Sequence, residues 1–224
     1  MEATGRRGQE QPVRITLGPV TLDGDLTIPE GEVRGIVLFA HGSGSSRNSP
    51  RNKYVAQLLN EDGCATLLMD LLTREEEAID EQTRHLRFDI GLLAGRLVGA
   101  TDWLRDNPLT QNLPIGYFGA STGAAAALVA AAERPDVIRA VVSRGGRPDL
   151  AIEALPRVQA PTLLIVGGED RPVIPLNQQA FKQLSRAEKR LEIVPGATHL
   201  FEEEGALEEV ARLASDWFVR YLKS

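Results

Sequence analysis

Short apolar runs alternate along most of the chain with longer stretches that carry a helical spacing of hydrophobic residues. From residue 33 onward each apolar run is compact and nearly continuous, which is typical of strands in a parallel sheet that is covered on both faces. The predicted strands are residues 35–40, 64–69, 115–118, 140–143, 162–166 and 191–194. The predicted helices are residues 52–61, 89–105, 122–133, 176–184 and 207–222. This alternation predicts an α/β fold with helices on both faces of a mostly parallel central sheet.

The first part of the chain has a different pattern. Residues 13–17 and 20–28 predict two strands joined at Gly18-Pro19, and the second alternates polar with apolar residues as VTLDGDLTI. Such alternation indicates a strand with one face in water. Residues 1–11 are polar and lack the apolar region of a signal peptide, so they predict a flexible N-terminal tail. Because no repeat or Gly/Ser linker divides the rest, we expect a single domain over residues 12–224.

Two intervals between strands bear on access to a site. Residues 71–87 are strongly charged, and they predict either a long exposed loop or a short surface helix. The interval between the strands at 140–143 and 162–166 is too short for an added lid domain. We therefore expect no cap domain and a fairly open site.

Composition narrows the classes of function. Hydrophobic residues make up 42% and charged residues 25% of the 224, which is an ordinary globular mix. The net charge of −6 disfavours nucleic acid as a partner. The single cysteine, Cys64, excludes an intrachain disulfide and a thiolate metal cluster. The longest apolar run, 124–132, is too short to cross a bilayer. We expect a cytoplasmic monomer or homodimer with no cofactor, no metal and no membrane or nucleic-acid partner.

Candidate chemistry follows four of the predicted strands. Ligands meet an open parallel sheet at the carboxyl ends of its strands, so the residues there are the first candidates for a site. In chain order these groups are His41-Gly42-Ser43-Gly44, Gly119-Ala120-Ser121-Thr122-Gly123, Gly167-Gly168-Glu169-Asp170 and Gly196-Ala197-Thr198-His199. A serine, an acid and a histidine thus occur in that order at one edge of the sheet.

The serine group fits the pattern G-x-S-x-G, in which serine lies on a sharp turn between a strand and a helix. Glycines two residues before and after Ser121 are expected because a β-carbon there would clash with the neighbouring backbone. The alanine-rich helix at 122–133 can pack closely on the sheet, and its N-terminus directs amide groups at the site. Ser121 is therefore the predicted nucleophile.

A serine hydroxyl needs a base and an orienting acid. His199 is the predicted base because it follows the last strand and precedes the final helix. Asp170 is the predicted acid, with Glu169 and Asp149 as weaker alternatives. The acidic run at 202–204 is interpreted as a solvated face.

Backbone amides must stabilise the oxyanion of a tetrahedral intermediate. The predicted donors are the N–H groups of Thr122, directly after the nucleophile, and of Ser43 in the glycine-rich loop. His41, Gly42 and Arg144 are further candidates for contact with the substrate. His41 is more readily interpreted as a residue that fixes the loop, and Arg144 either attracts an anionic substrate group or pairs with a surface acid.

The sequence resembles an α/β-hydrolase, and within that superfamily the compact dienelactone hydrolase family that lacks a cap domain. The resemblance rests on HGSG at 41–44, GASTG at 119–123, GGED at 167–170 and GATH at 196–199, and it covers nearly everything from residue 20. It implies the same roles for Ser121, Asp170 and His199. One departure is that founding members carry cysteine at the nucleophile position, where this chain has serine.

The expected activity is therefore hydrolysis of carboxylic esters with small or short acyl chains, through an acyl-enzyme and without a cofactor. Thioester, lactone or peptide hydrolysis on the same triad is the alternative. A non-catalytic ligand-binding protein on a hydrolase scaffold is a third interpretation, which an intact triad disfavours.

Overall fold

The computed structural model describes residues 8–223 and shows one sheet of eight strands in the order β1-β2-β4-β3-β5-β6-β7-β8. The strands are β1 Gln9–Leu17, β2 Val20–Ile28, β3 Gly35–Ala40, β4 Cys64–Met69, β5 Ile115–Ala120, β6 Ile138–Arg144, β7 Thr162–Gly167 and β8 Lys189–Val194. β1 and β2 are antiparallel to their neighbours, whereas β3 to β8 are mutually parallel. The prediction of a mostly parallel α/β sheet is confirmed.

Helices cover both faces of the sheet, as the sequence predicts. They are α1 Pro50–Glu61, α2 Arg74–Thr83, α3 Ile90–Asp106, α4 Thr122–Glu133, α5 Ile174–Gln183 and α6 Ala206–Tyr221. One hydrophobic cluster joins α3, α4 and α5 to one face, and a second joins α1 and α6 to the other. The central strands β3, β4, β5 and β7 are buried along their whole length, which is why their sequences lack the alternation of β2. In residues 8–223, no helix has the length and apolar character needed to cross a bilayer.

The predicted N-terminal tail requires a correction. Strand β1 begins at Gln9, so residues 9–11 belong to the sheet and not to a tail. Their side chains are exposed, but their backbone pairs with β2. The register of the two strands runs from Gln9 opposite Ile28 to Leu17 opposite Val20. Backbone pairing leaves no hydrophobic signal in an edge strand, so the sequence pattern could not show it. The rest of the tail prediction, residues 1–7, lies outside the described residues.

The charged segment at 71–87 contains a surface helix, α2, and a short 3-10 turn at Leu86–Phe88. Thr73 and Glu76 form a reciprocal capping box at the start of α2. The buried carboxylate of Asp80 accepts a 2.6 Å hydrogen bond from Nε of Arg87. Arg96 of α3 donates a 2.5 Å bond to Glu76. Of the two alternatives for this segment, the surface helix is confirmed.

The loop after β3 is held to the end of β4. Nδ1 of His41 lies 2.9 Å from the carbonyl oxygen of Gly42, and Nε2 lies 3.0 Å from the amide nitrogen of Leu71. Since a carbonyl only accepts and an amide N–H only donates, Nδ1 carries the proton and Nε2 is the acceptor. Arg47 further on in the loop pairs with Asp70 and, at 3.3 Å, with Asp25. The loop is thus fixed at both ends.

Protonation of His41 should destabilise the fold. Burial of the ring lowers the pKa of His41 from its ordinary value of 6.5, although the Gly42 bond and the charge of Asp70 act the other way. The unfolded chain therefore binds a proton that the folded chain does not, so stability falls as the pH drops below 6.5. We expect the difference in unfolding free energy between the wild type and H41Q to be constant above that pH and to shrink below it, by at most about 1.4 kcal/mol per pH unit. Urea unfolding of both proteins above and below pH 6.5 measures this difference in free energy. A difference that stays constant in acid would contradict the prediction.

Candidate active site

Ser121 lies in a strained turn between β5 and α4. Its backbone has φ 52° and ψ −119°, a left-handed conformation that is rare for a residue with a side chain. A β-carbon on Gly123 would lie 2.2 Å from the carbonyl oxygen of Ala40, and one on Gly119 would lie 2.4 Å from Cα of Ala124. Glycine at both positions lets α4 begin directly against the sheet. The steric reason inferred for G-x-S-x-G therefore holds in the structure.

Asp170 and His199 meet because the loops after β7 and β8 are bonded to each other. The amide of Gly168 donates to Val194 at 2.8 Å, and that of Glu169 donates to Ala197 at 2.9 Å. Nδ1 of His199 lies 2.6 Å from Oδ2 of Asp170, whose side chain is only 8% exposed. A carboxylate fixes the proton on Nδ1, so Nε2 of His199 is left as a free acceptor.

The two alternative acids are engaged elsewhere. Asp149 receives two hydrogen bonds from Arg147, at 2.9 and 2.7 Å. Glu169 is exposed and pairs with Arg171 at 3.2 Å. Asp170 is the member of the three that reaches the imidazole of His199.

Ser121 and His199 line the same cavity, which has a volume of about 240 Å³. Within residues 8–223 the Ser121 hydroxyl has no hydrogen-bond partner, so the serine and the imidazole line one cavity without a direct bond. Bonds between nucleophile and base are often long before substrate binds and tighten in the complex. The arrangement places a free imidazole acceptor and a serine hydroxyl around one space.

The predicted oxyanion donors lie beside this cavity. Ser43 lines it, and Thr122 is the first residue of α4. Among the described residues, the backbone amides of Ser43 and Thr122 donate to no other protein group. The N-terminus of α4 adds a partial positive charge at the same place. Two free donors next to the serine are what an oxyanion requires.

A second cavity, of about 230 Å³, opens on the other side of the glycine-rich loop. It shares Gly42, Ser43 and Ser45 with the first cavity, and it also contacts Thr122. The charged segment forms its outer wall through Glu77, Asp80, Glu81 and Arg87, and the side chains of Leu71, Leu72 and Leu93 add apolar surface. His41 lines this second cavity and not that of Ser121, and both of its ring nitrogens are engaged within the protein.

Arg144, at the end of β6, lines the cavity of Ser121. It is 7% exposed and forms no ion pair among the described residues, so the alternative of a surface acid as its partner is wrong. Its guanidinium carbon lies 6.0 Å from the ring centre of Phe201. Burial lowers the pKa of Arg144 to about 10, which leaves the side chain charged at neutral pH.

Glu203 is a residue that the sequence analysis did not identify. Its carboxylate accepts hydrogen bonds from the backbone amide of Thr198 at 3.0 Å and from the Thr198 hydroxyl at 2.5 Å. The bond from the hydroxyl is the main reason that the pKa of Glu203 lies below its ordinary value. Because Thr198 precedes His199, this carboxylate holds the loop that carries the imidazole. Nearby, Glu202 pairs with Arg51 at 3.1 Å, so the run at 202–204 is not merely solvated.

Cys64 lies outside the site. It is fully buried in β4, and burial raises the pKa of its thiol to about 12. At neutral pH it is a protonated core residue, whereas Ser121 lines a cavity.

Comparison with known proteins agrees with this architecture. The profile of the dienelactone hydrolase family matches residues 22–223. The crystal structure of a dienelactone hydrolase from Anabaena variabilis has 68% sequence identity and a TM-score of 0.94, covering 96% of this chain and 99% of that one. A dienelactone hydrolase-like promiscuous phosphotriesterase from metagenomic libraries has 17% identity and a TM-score of 0.79, covering 96% and 99%, which shows the fold alone.

A curated relative from Mycobacterium tuberculosis is 58% identical over 214 residues and carries the provisional name phosphoribosyl transferase. The match covers 96% of this chain but 47% of the relative, so the chain spans about half the length of the curated relatives that it matches. The family profile and the Anabaena structure confirm the resemblance seen in the sequence. This chain belongs to the dienelactone hydrolase family.

Proposed function

We propose that the protein is a serine hydrolase that cleaves carboxylic esters of small or short-chain acids through an acyl-enzyme. The observation that carries this proposal is the 2.6 Å bond between Asp170 and His199, which leaves the imidazole a free acceptor in the cavity of Ser121. Membership of a hydrolase family supports the same conclusion.

In the first half of the reaction, Nε2 of His199 takes the proton of the Ser121 hydroxyl as its oxygen attacks the ester carbonyl. The amides of Ser43 and Thr122 donate to the oxyanion that forms. The alkoxide leaving group then departs with the proton from His199. An acyl group remains bonded to Ser121.

In the second half, a water molecule replaces the alcohol. His199 removes a proton from this water, and the hydroxide attacks the acyl carbonyl. The acid is released and Ser121 regains its proton from His199. Asp170 keeps the imidazole in the required tautomer and stabilises its positive charge, so it takes part in both halves.

Small acyl groups are favoured by the size of the site. The two cavities beside the oxyanion amides measure about 240 and 230 Å³. Between β6 and β7 only short 3-10 helices occur, at Pro148–Ala151 and Leu155–Arg157, and these cannot enclose a long chain. Lactone hydrolysis is the second candidate, since the Anabaena relative is named a dienelactone hydrolase.

The name phosphoribosyl transferase belongs to a protein of about twice the length, whereas the dienelactone hydrolase profile matches residues 22–223 of this chain. The proposed reaction therefore rests on the family and on the geometry of this site, and not on the transferase name.

Replacing Ser121 with alanine should abolish turnover of an activated short-chain ester such as 4-nitrophenyl acetate. Loss of a triad nucleophile typically costs about 10⁴-fold or more in kcat. A fluorophosphonate should label the wild type and not S121A, and circular dichroism should show the same fold in both. Ester turnover by S121A at the wild-type rate would overturn the assignment, and affinity for esters without turnover by the wild type would favour a binding protein.

Replacing Asp170 with asparagine should lower kcat by about 10⁴-fold, because an amide can hold the imidazole in the wrong tautomer. E169Q is the matched control: it removes a carboxylate from the adjacent residue, which is exposed and pairs with Arg171. We expect E169Q to retain nearly full activity. Steady-state kinetics on one ester compare them, and a larger loss in E169Q would shift the role of the acid to residue 169.

A series of esters from acetate to palmitate tests the size of the acyl group. Because the cavities are small and uncapped, kcat/KM should be highest for chains of a few carbons and should fall beyond them. Simple γ-lactones in the same assay test the second candidate. A maximum at long acyl chains would contradict the proposed acyl preference while leaving the nucleophile unchanged.

A further inference from the structure

Arg144 is a buried cation without a counter-charge in the cavity of the nucleophile. Its carbonyl oxygen accepts a 3.2 Å bond from the amide of Ser121, so the two residues are neighbours along the edge of the sheet. Its side chain is 7% exposed, and Nε has no hydrogen-bond partner. Burying an unpaired charge is costly, and such groups in a cleft are candidates for binding a ligand.

The surroundings of Arg144 favour an anion. Beside Ser121 and His199, polar residues line the cavity, namely Ser43, Ser45, Ser49, Arg51 and Asn52. Ser49 lies at the N-terminus of α1, where the dipole of the helix places a partial positive charge. Among residues 8–223, no carboxylate lines this cavity, and the acid that pairs with Arg51, Glu202, is 64% exposed.

The position of His199 indicates which part of an ester would reach Arg144. The imidazole must protonate the leaving oxygen, so the alcohol side of the ester has to lie toward it. His199 and Arg144 line the same cavity. The second cavity has neither of these residues, but it contacts Thr122 and has an acidic wall containing Glu77 and Glu81. The acyl side is thus directed toward the second cavity.

The geometry points to Arg144 as the residue that selects esters whose leaving alcohol carries an anionic group, a carboxylate or a phosphate. Arg51 and the N-terminus of α1 line the same cavity and add positive charge to it. This inference rests on the proposed function, and it adds the charge of the substrate and the side of the ester on which that charge lies.

The test compares esters that differ in charge and in little else. With the charge on the alcohol side, 3-acetoxybenzoate is compared with its neutral amide, 3-acetoxybenzamide, and 3-acetoxyphenyl phosphate distinguishes phosphate from carboxylate. With the charge on the acyl side, the phenyl monoester of adipic acid is compared with its amide. We expect the wild type to prefer the anionic ester by about tenfold or more in kcat/KM in the first comparison only.

The variant R144M should reduce this preference, taken as the ratio of kcat/KM for the two esters, by about ten- to a hundredfold, and R144K should restore part of it. The matched control is R134M, which removes an arginine that pairs with Asp102 on the surface. It should keep the preference. If R144M does not fold, the charge preference of R144K is compared with that of the wild type instead.

The failures of the two proposals are distinguishable. If the wild type cleaves the neutral ester but shows no preference for charge on the alcohol, or if R144M and R144K both keep the preference, the role of Arg144 is overturned and the hydrolase remains. A preference for charge on the acyl side also overturns it. If the wild type cleaves none of these esters, the proposed function is overturned, and the role of Arg144 with it.

Discussion

The close approach of α4 to the sheet is the constraint on which the rest of the site depends. Ser121 is held in a left-handed conformation that costs about 1–3 kcal/mol, and it persists only because the surrounding packing leaves no alternative. That packing comes from Gly119, Gly123 and the buried alanines of α4. The same turn leaves the Ser121 hydroxyl and the Thr122 amide without protein partners among the described residues, so one strained residue sets the position of the proposed nucleophile and of one proposed oxyanion donor.

The other groups reach the serine through loops that are held by polar contacts rather than by the core. His41 ties the glycine-rich loop to Leu71, while Glu203 holds Thr198 before the imidazole. These contacts lie at the edge of the sheet, where water competes for them, so each contributes modestly to stability. Their consequence is positional: catalytic groups displaced by about 1 Å can lose about a hundredfold in rate. The site thus combines a rigidly held serine with neighbouring loops whose positions depend on individual hydrogen bonds.

The sequence was informative where a residue's role is set by its own strand or helix, and less so where it is set by a distant partner. Continuous apolar runs predict the central strands, and G-x-S-x-G predicts the turn at which α4 begins. Asp170 and His199 are predicted as site residues because each follows a strand. The pairing of residues 9–11 left no side-chain pattern, because it uses only the backbone. Glu203 belongs to a charge run that is typical of a solvated surface, and its bond to Thr198 depends on how the loop folds. For Arg144, the sequence could not decide between an acidic partner and none.

Because Arg144 has no partner among the described residues, the fold keeps a buried charge that lowers its stability. A buried guanidinium without a counter-ion destabilises the folded chain, and a neutral side chain of similar volume there would be expected to raise stability. Local conflicts of this kind are expected where function requires them. The nearby Arg51 makes the conflict larger, because its charge lowers the pKa of Arg144 in addition to the effect of burial. An anion in the cavity would remove both penalties at once, so binding such a substrate would stabilise the edge of the sheet that carries Ser121.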